Sequence, residues 1–205
     1  MPEASTSPRR GRRAAASRED VLAAVMHRYL RGRRIDVQEI AAELGLGRTT
    51  VYRWFGSREK LIGQVVAKAG EPALRAAREQ ARGTGGQALL ETFDSFNRFL
   101  ADNRVLRTFV ERERDAALRI ITSGAGTVHP RMVEMISGLI VAEIEAGNYV
   151  APVEPDTLGY AIVRLGEAFL FNDTAGMRGD VDRLRDVEAA ILGVSTPDPG
   201  REAPR

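Results

Sequence analysis

The sequence predicts an all-α protein of about nine helices, with a small N-terminal three-helix unit followed by a larger helical bundle. Three observations carry this expectation. Apolar residues recur three and four positions apart from Val21 to Ile191, the period of a helix with one buried face. Glycine and proline interrupt that pattern at Gly32, Gly45, Gly83–Gly86, Ser123–Gly126, Gly147 and Ala151–Pro155, dividing it into segments of helical length. No stretch alternates apolar and polar residues convincingly as a half-buried strand does, and no internal repeat is found.

Residues 1–17 are rich in Pro, Ser, Ala and Arg, a composition expected to be disordered alone. The first helix is expected from Ser17 to about Arg31, with Ser17 and Asp20 as cap and box. Val21, Leu22, Val25, Met26, Tyr29 and Leu30 form its apolar stripe, Gly32 ends it, and His27 falls on its surface. Asp36 can cap the next helix, with Glu39 three residues on completing the box. Val37, Ile40, Ala41 and Leu44 give that helix one apolar face, and Gly45 follows where a left-handed residue is needed. Gly47 can cap a third helix, Arg48 to Trp54, only about two turns long.

In that short helix Val51 points inward, as does Phe55 just past its end, leaving Arg48, Thr49, Thr50, Tyr52, Arg53 and Trp54 on the outer faces. Two helices joined by a glycine turn, the second short and polar-aromatic, form a helix-turn-helix, whose second helix enters the DNA major groove by its N-terminal end. Gln38 on the first motif helix, and Arg58 and Lys60 at the start of the following helix, are expected at phosphates. The arginines preceding helix one, Arg9, Arg10, Arg12 and Arg13, admit two readings: a solvated tail, or an arm reaching the minor groove or flanking phosphates, with Arg12 and Arg13 nearest the motif. Charge agrees with DNA at one end. Residues 1–60 hold 13 Lys+Arg against 7 Asp+Glu, net +6, while the remainder hold 17 against 21, net −4.

At these residues the chain resembles the TetR family of transcriptional regulators. Ile40-Ala41 with Gly45, then Val51-Tyr52, Phe55, Ser57, Glu59 and Leu61, are similar to that family's DNA-binding domain over about residues 18–62. There are departures: Asp36 and Gly47 stand where a hydroxyl cap is usual, Thr49 replaces a small residue, and Arg58 replaces a lysine. Asp36 cannot donate to phosphate and repels it. The resemblance implies a homodimer paired through a four-helix interface, and a near-palindromic DNA operator. The second half is similar to regulators of lactone or acyl-signal breakdown, which implies an acyl- or lactone-like apolar effector.

Beyond the motif, Leu61, Ile62, Val65, Val66 and Ala69 open a connector helix that extends past Pro72 to about Arg82. Further helices are expected at 87–102, 104–122, 130–146, 156–172 and 180–192, with 194–205 a loose tail and 63–193 a ligand-binding and dimerisation domain. Asn97, Glu113 and Arg164 fall on otherwise apolar stripes, and a buried charge needs a counter-group, water or a ligand. Internal pairing is one reading. The other is a cavity with polar anchors, lined by Phe93, Phe109, Met132, Met135, Ile136 and Phe169. Apolar residues in excess of one core on the last two helices suggest a dimer surface.

Composition narrows the function classes. Without cysteine there is neither disulfide nor thiolate chemistry, as suits a cytoplasmic protein, and His27 and His129 lack metal-ligand spacing. No apolar run reaches the length of a membrane span, and the arginine-bearing N-terminus has no apolar signal region. Ser57-Arg58-Glu59-Lys60 spells S-x-x-K, but no partner motif accompanies it and the serine sits where a helix cap is needed. Gly83-Thr84-Gly85-Gly86 follows no strand, so it is no dinucleotide loop. An enzyme, a metal and a cofactor are therefore not expected. Two classes stay open: a repressor released by a small apolar effector, and a DNA-binding regulator without one, controlled by a protein partner.

Overall fold

The computed structural model describes residues 16–171 and 180–194. Its described residues form ten α-helices: α1 (Arg18–Leu30), α2 (Val37–Glu43), α3 (Arg48–Phe55), α4 (Arg58–Gln80), α5 (Gly85–Asp102), α6 (Arg104–Arg112), α7 (Arg114–Thr122), α8 (Val128–Glu145), α9 (Pro155–Phe171) and α10 (Val181–Leu192). The all-helical reading holds, and the count rises by one because the segment expected as a single helix from 104 to 122 breaks at Glu113.

The head is built from local signals. Ser17 caps α1 by accepting from the Asp20 amide at 3.2 Å, while the Asp20 carboxylate accepts from the Ser17 amide at 2.7 Å. Hydrogen bonds donated to its carboxylate by the Ser17 amide and hydroxyl hold the Asp20 carboxyl below its ordinary value. Asp36 caps α2 through the Gln38 and Glu39 amides, but the Glu39 side chain turns to Arg28 of α1 at 2.8 Å. Arg28 also pairs with Glu43, so a single guanidinium fastens α1 across α2. Gly45 takes φ +67°, the left-handed turn between the motif helices. Ser57 caps α4 by accepting from the Lys60 amide at 3.1 Å, the structural role expected of that serine.

Two apolar clusters fill the interior. The first joins Val21, Val25, Ile40, Val51, Phe55 and Leu61 of the head to Leu106, Phe109, Ile120 and Ile121 of α6 and α7. The second packs the C-terminal half of α4 with α5, α8, α9 and α10 around Leu89, Leu90, Phe93, Ile140, Leu158 and Leu192. Helix α4 runs unbroken through both, with Pro72 inside it.

One buried carboxylate ties the body together. Glu143 of α8 is 3% exposed. It pairs with Arg78 of α4 and accepts from the Gly85 amide at the start of α5, at 2.6 Å, and from Asn148 Nδ2 at 3.4 Å. The α5 backbone must come close for this. Gly85 sits at φ +67°, and a Cβ there would lie 2.3 Å from the Asn148 carbonyl oxygen. Gly85→Ala is expected to destabilise the fold by about 2–4 kcal/mol through left-handed strain and overpacking. Gly138→Ala meets nothing within 4 Å in mid-α8, and is expected to stabilise by up to about 1 kcal/mol. Urea-unfolding midpoints of the two variants against wild type check both signs.

Candidate nucleic-acid interface and adjoining cavity

The exposed flank of the motif comes from residues its core cannot use. With Val51 and Phe55 spent on the head core, α3 presents Arg48, Thr49 and Arg53 to solvent, and Thr50 is half-buried. Tyr52 is half-buried, with the Arg48 guanidinium over its ring at 5.4 Å. Trp54 is also half-buried and packs on the head core, so its indole faces both interior and surface. Gln38 of α2 and Lys60 of α4 are exposed. Arg12 and Arg13 lie outside the described residues.

Arg58 departs from the phosphate contact expected of it. Its Nη2 donates to both oxygens of Glu113, at 2.9 and 2.7 Å, and with Nε it also donates to the Ile35 carbonyl, at 3.1 and 3.2 Å. The guanidinium is turned into the joint between head and body, where the break between α6 and α7 delivers Glu113. That also removes Glu113 from the ligand-lining group. Phe109 departs likewise: it packs edge-on against Tyr29, ring centroids 5.8 Å apart, in the shared core.

Beside this joint lies a cavity of about 240 Å³. Its wall takes Tyr29 and Leu30 from the end of α1, Val66 and Gly70 from α4, and Phe93, Phe96, Asn97 and Phe99 from α5. Leu106, Ile121, Met132, Ile136, Ile162 and Val163 continue it through α6 to α9, with Glu167 and Phe171 on α9 and Glu188 on α10. Of the expected lining residues, Phe93, Asn97, Met132 and Ile136 are brought together there. Met135 and Phe169 pack elsewhere in the interior. Arg164 is turned away, donating to the Thr122 carbonyl at 2.7 Å, to Glu167 at 2.8 Å and to the Tyr160 hydroxyl at 3.0 Å. It thereby places a cation at the C-terminal end of α7. Glu167 is further held by His129 Nδ1 at 2.8 Å. Val163 and Phe171 of α9 also line the cavity.

The sequence reading missed Glu188. Leu184, Glu188 and Leu192 share one face of α10 at spacings of four, so the signal was present. The side chain is fully buried, and its Oε1 accepts from Asn97 Nδ2 at 3.0 Å. Burial pushes its carboxyl up to about 8, the Asn97 bond pulls it partly back, and the nearby Asp94 charge raises it again.

A family model described as "Tetracyclin repressor-like, C-terminal domain" matches residues 84–193, more than half of the chain. The chain belongs to the TetR family. Two solved structures are similar to it over most of both chains. The R. erythropolis transcriptional repressor QsdR, of the TetR family, shares 27% identity with a TM-score of 0.82, covering 88% of this chain and 96% of that one. The TetR-family repressor AlkX from a Dietzia strain, implicated in biodegradation of n-alkanes, shares 25% with a TM-score of 0.58, covering 89% and 98%. No curated protein matches. This TetR-family chain is a DNA-binding transcriptional regulator in fold and class, not an enzyme. Among its described residues no cluster of three metal-ligating side chains occurs, and no helix is long and apolar enough to cross a membrane.

The Glu188 shift sets a pH dependence of stability. The unfolded chain releases this proton near the ordinary 4.5 and the folded chain near 8. The contribution is therefore fully present below 4.5, declines as pH rises through that window, and levels off above it. Glu188→Gln removes the decline. The variant is expected to be more stable than wild type at pH 8, by on the order of 4 kcal/mol, with the difference closing towards pH 4.5 in parallel urea titrations.

Proposed function

We propose that the chain is a homodimeric repressor that binds a near-palindromic operator through α3 and is released when a small apolar molecule fills the cavity. One observation carries the reading: the cavity wall includes Tyr29 and Leu30 of α1, the helix that packs behind the recognition helix. An occupant there presses directly on the head. The Arg58–Glu113 pair and the Tyr29–Phe109 contact make the same joint stiff, so a shift in the body is passed to α3 rather than absorbed. Likeness to a repressor implicated in n-alkane biodegradation supports an apolar effector.

In this reading residues 18–62 are the DNA-reading unit and 63–193 the effector and dimerisation unit. Arg48, Thr49, Thr50, Tyr52, Arg53 and Trp54 face the major groove, and Gln38, Lys60 and the Arg12–Arg13 arm meet phosphates. Tyr160 of α9 and Val187 of α10, 48% and 37% exposed, belong to the surface that pairs two copies. The dimer sets its two α3 helices at half-sites ~34–36 Å apart, and the effector favours a state in which that spacing is lost. The protein works in the cytoplasm.

Arg48→Ala and Tyr52→Ala are each expected to weaken specific operator binding at least tenfold while the helical circular-dichroism spectrum stays unchanged. A mobility-shift assay on the DNA upstream of the protein's own coding region, against unrelated duplex, reads the ratio. Wild-type selectivity in both variants would remove α3 from the assigned role.

A further inference from the structure

The cavity wall is mostly apolar, with polar groups from Tyr29, Asn97, Asn103, Glu167 and Glu188. Glu188 Oε1 is occupied by Asn97, itself only 6% exposed, but Glu188 Oε2 is buried with no hydrogen-bond partner. The charged groups around it are already engaged. Asp94 of α5 is met by Arg98 at 3.0 Å and by Arg185 of α10 at 3.7 Å, and Arg98 also holds Asp182. On the α9 side, Glu167 is taken by His129 and Arg164. Among the described residues no cation reaches Glu188. An unpaired carboxylate in such a place is costly, and an unpartnered polar group among the residues that line a cavity is a means of orienting a ligand in an apolar pocket.

We propose that Glu188, steadied by Asn97, is the polar anchor of the effector cavity, and that the effector is an uncharged, largely apolar molecule bearing one carbonyl-type hydrogen-bond acceptor. The inference rests on the reading of this cavity as the effector site. Three occupants could satisfy Oε2: a cation or a neutral donor, both of which need the carboxylate, or an acceptor, which needs the carboxylic acid. Burial and the nearby Asp94 charge both hold Glu188 in its protonated form at neutral pH, which makes Oε2–H a donor. Asn97 supplies the N–H to Oε1 and so leaves Oε2 as the atom that carries the proton. A carbonyl oxygen accepts that proton's hydrogen bond, while the hydrocarbon remainder lies against Phe93, Phe96, Ile136 and Ile162. Carboxylate ligands are repelled by the same acidic surroundings. At roughly 30 Å³ for each water-sized group, a cavity of about 240 Å³ takes roughly eight non-hydrogen atoms.

Three probes of matched length separate the possibilities: octane, methyl hexyl ketone and octylammonium, titrated calorimetrically at neutral pH into the full chain, its Glu188→Gln variant and its Glu188→Leu variant. The ketone is expected to bind wild type at least tenfold more tightly than octane. Glu188→Gln, whose amide still donates, keeps that preference. Glu188→Leu loses it yet still binds octane, which shows that the cavity remains folded. If octylammonium binds best and Glu188→Gln abolishes this, the anchor is anionic and the proposal is overturned. Equal binding of ketone and octane to wild type overturns the anchor and leaves the cavity standing as a ligand site. Binding of none of the three probes sinks the cavity reading and the anchor with it.

Discussion

Three short helices cannot bury enough apolar surface to close a core by themselves, and in this protein they do not try. The interior of the N-terminal head is completed by side chains from the helical body: Leu106 and Phe109 of α6, and Ile120 and Ile121 of α7. Tyr29 lies at the meeting point, 5% exposed, with burial pushing its hydroxyl up to about 12 so that it stays neutral. Everything else in the architecture follows from this shared core. A head sealed by its own residues could swivel freely on α4. One sealed by the body must move with it.

The polar joint reinforces the apolar one. Arg58 opens α4, reaches back to the carbonyl of Ile35 ahead of α2, and grips Glu113 where α6 gives way to α7. Both side chains are about three-quarters buried, so each arginine–carboxylate bond is worth more than a surface pair. The cavity begins beside this joint, and its far wall ends on α10. The cavity wall therefore runs from α1, which backs the motif, to α10, which carries Glu188.

How much of this was legible in the sequence depended on distance along the chain. Ser17 with Asp20, Asp36, Gly45 and Ser57 each act within a few residues of themselves, and the structure uses each as its spacing indicates. The division of 104–122 into α6 and α7 was not legible, because Glu113 leaves helical geometry at φ −135° and ψ 51° beside a partner 55 positions earlier. Arg58 was misplaced for the same reason: its neighbours in sequence pointed to phosphate, and its neighbour in space is a carboxylate. Phe109 and Arg164 sat on stripes as ambiguous as those of Phe93 and Asn97, and only packing separated core and helix-end roles from cavity wall. Glu188 differs. Its position between Leu184 and Leu192 marked it as inward-facing, and an acid there needed an explanation that periodicity alone could supply only as a question.

The shared core also has a consequence for the birth of the protein. The motif helices leave the ribosome first, yet the side chains that seal Tyr29 lie some seventy to ninety residues downstream, in the stretch ending at Thr122. A nascent chain halted earlier carries a recognition helix on an unsealed scaffold. The shared core thus ties completion of the motif's packing to residues of α6 and α7 that are synthesised after it.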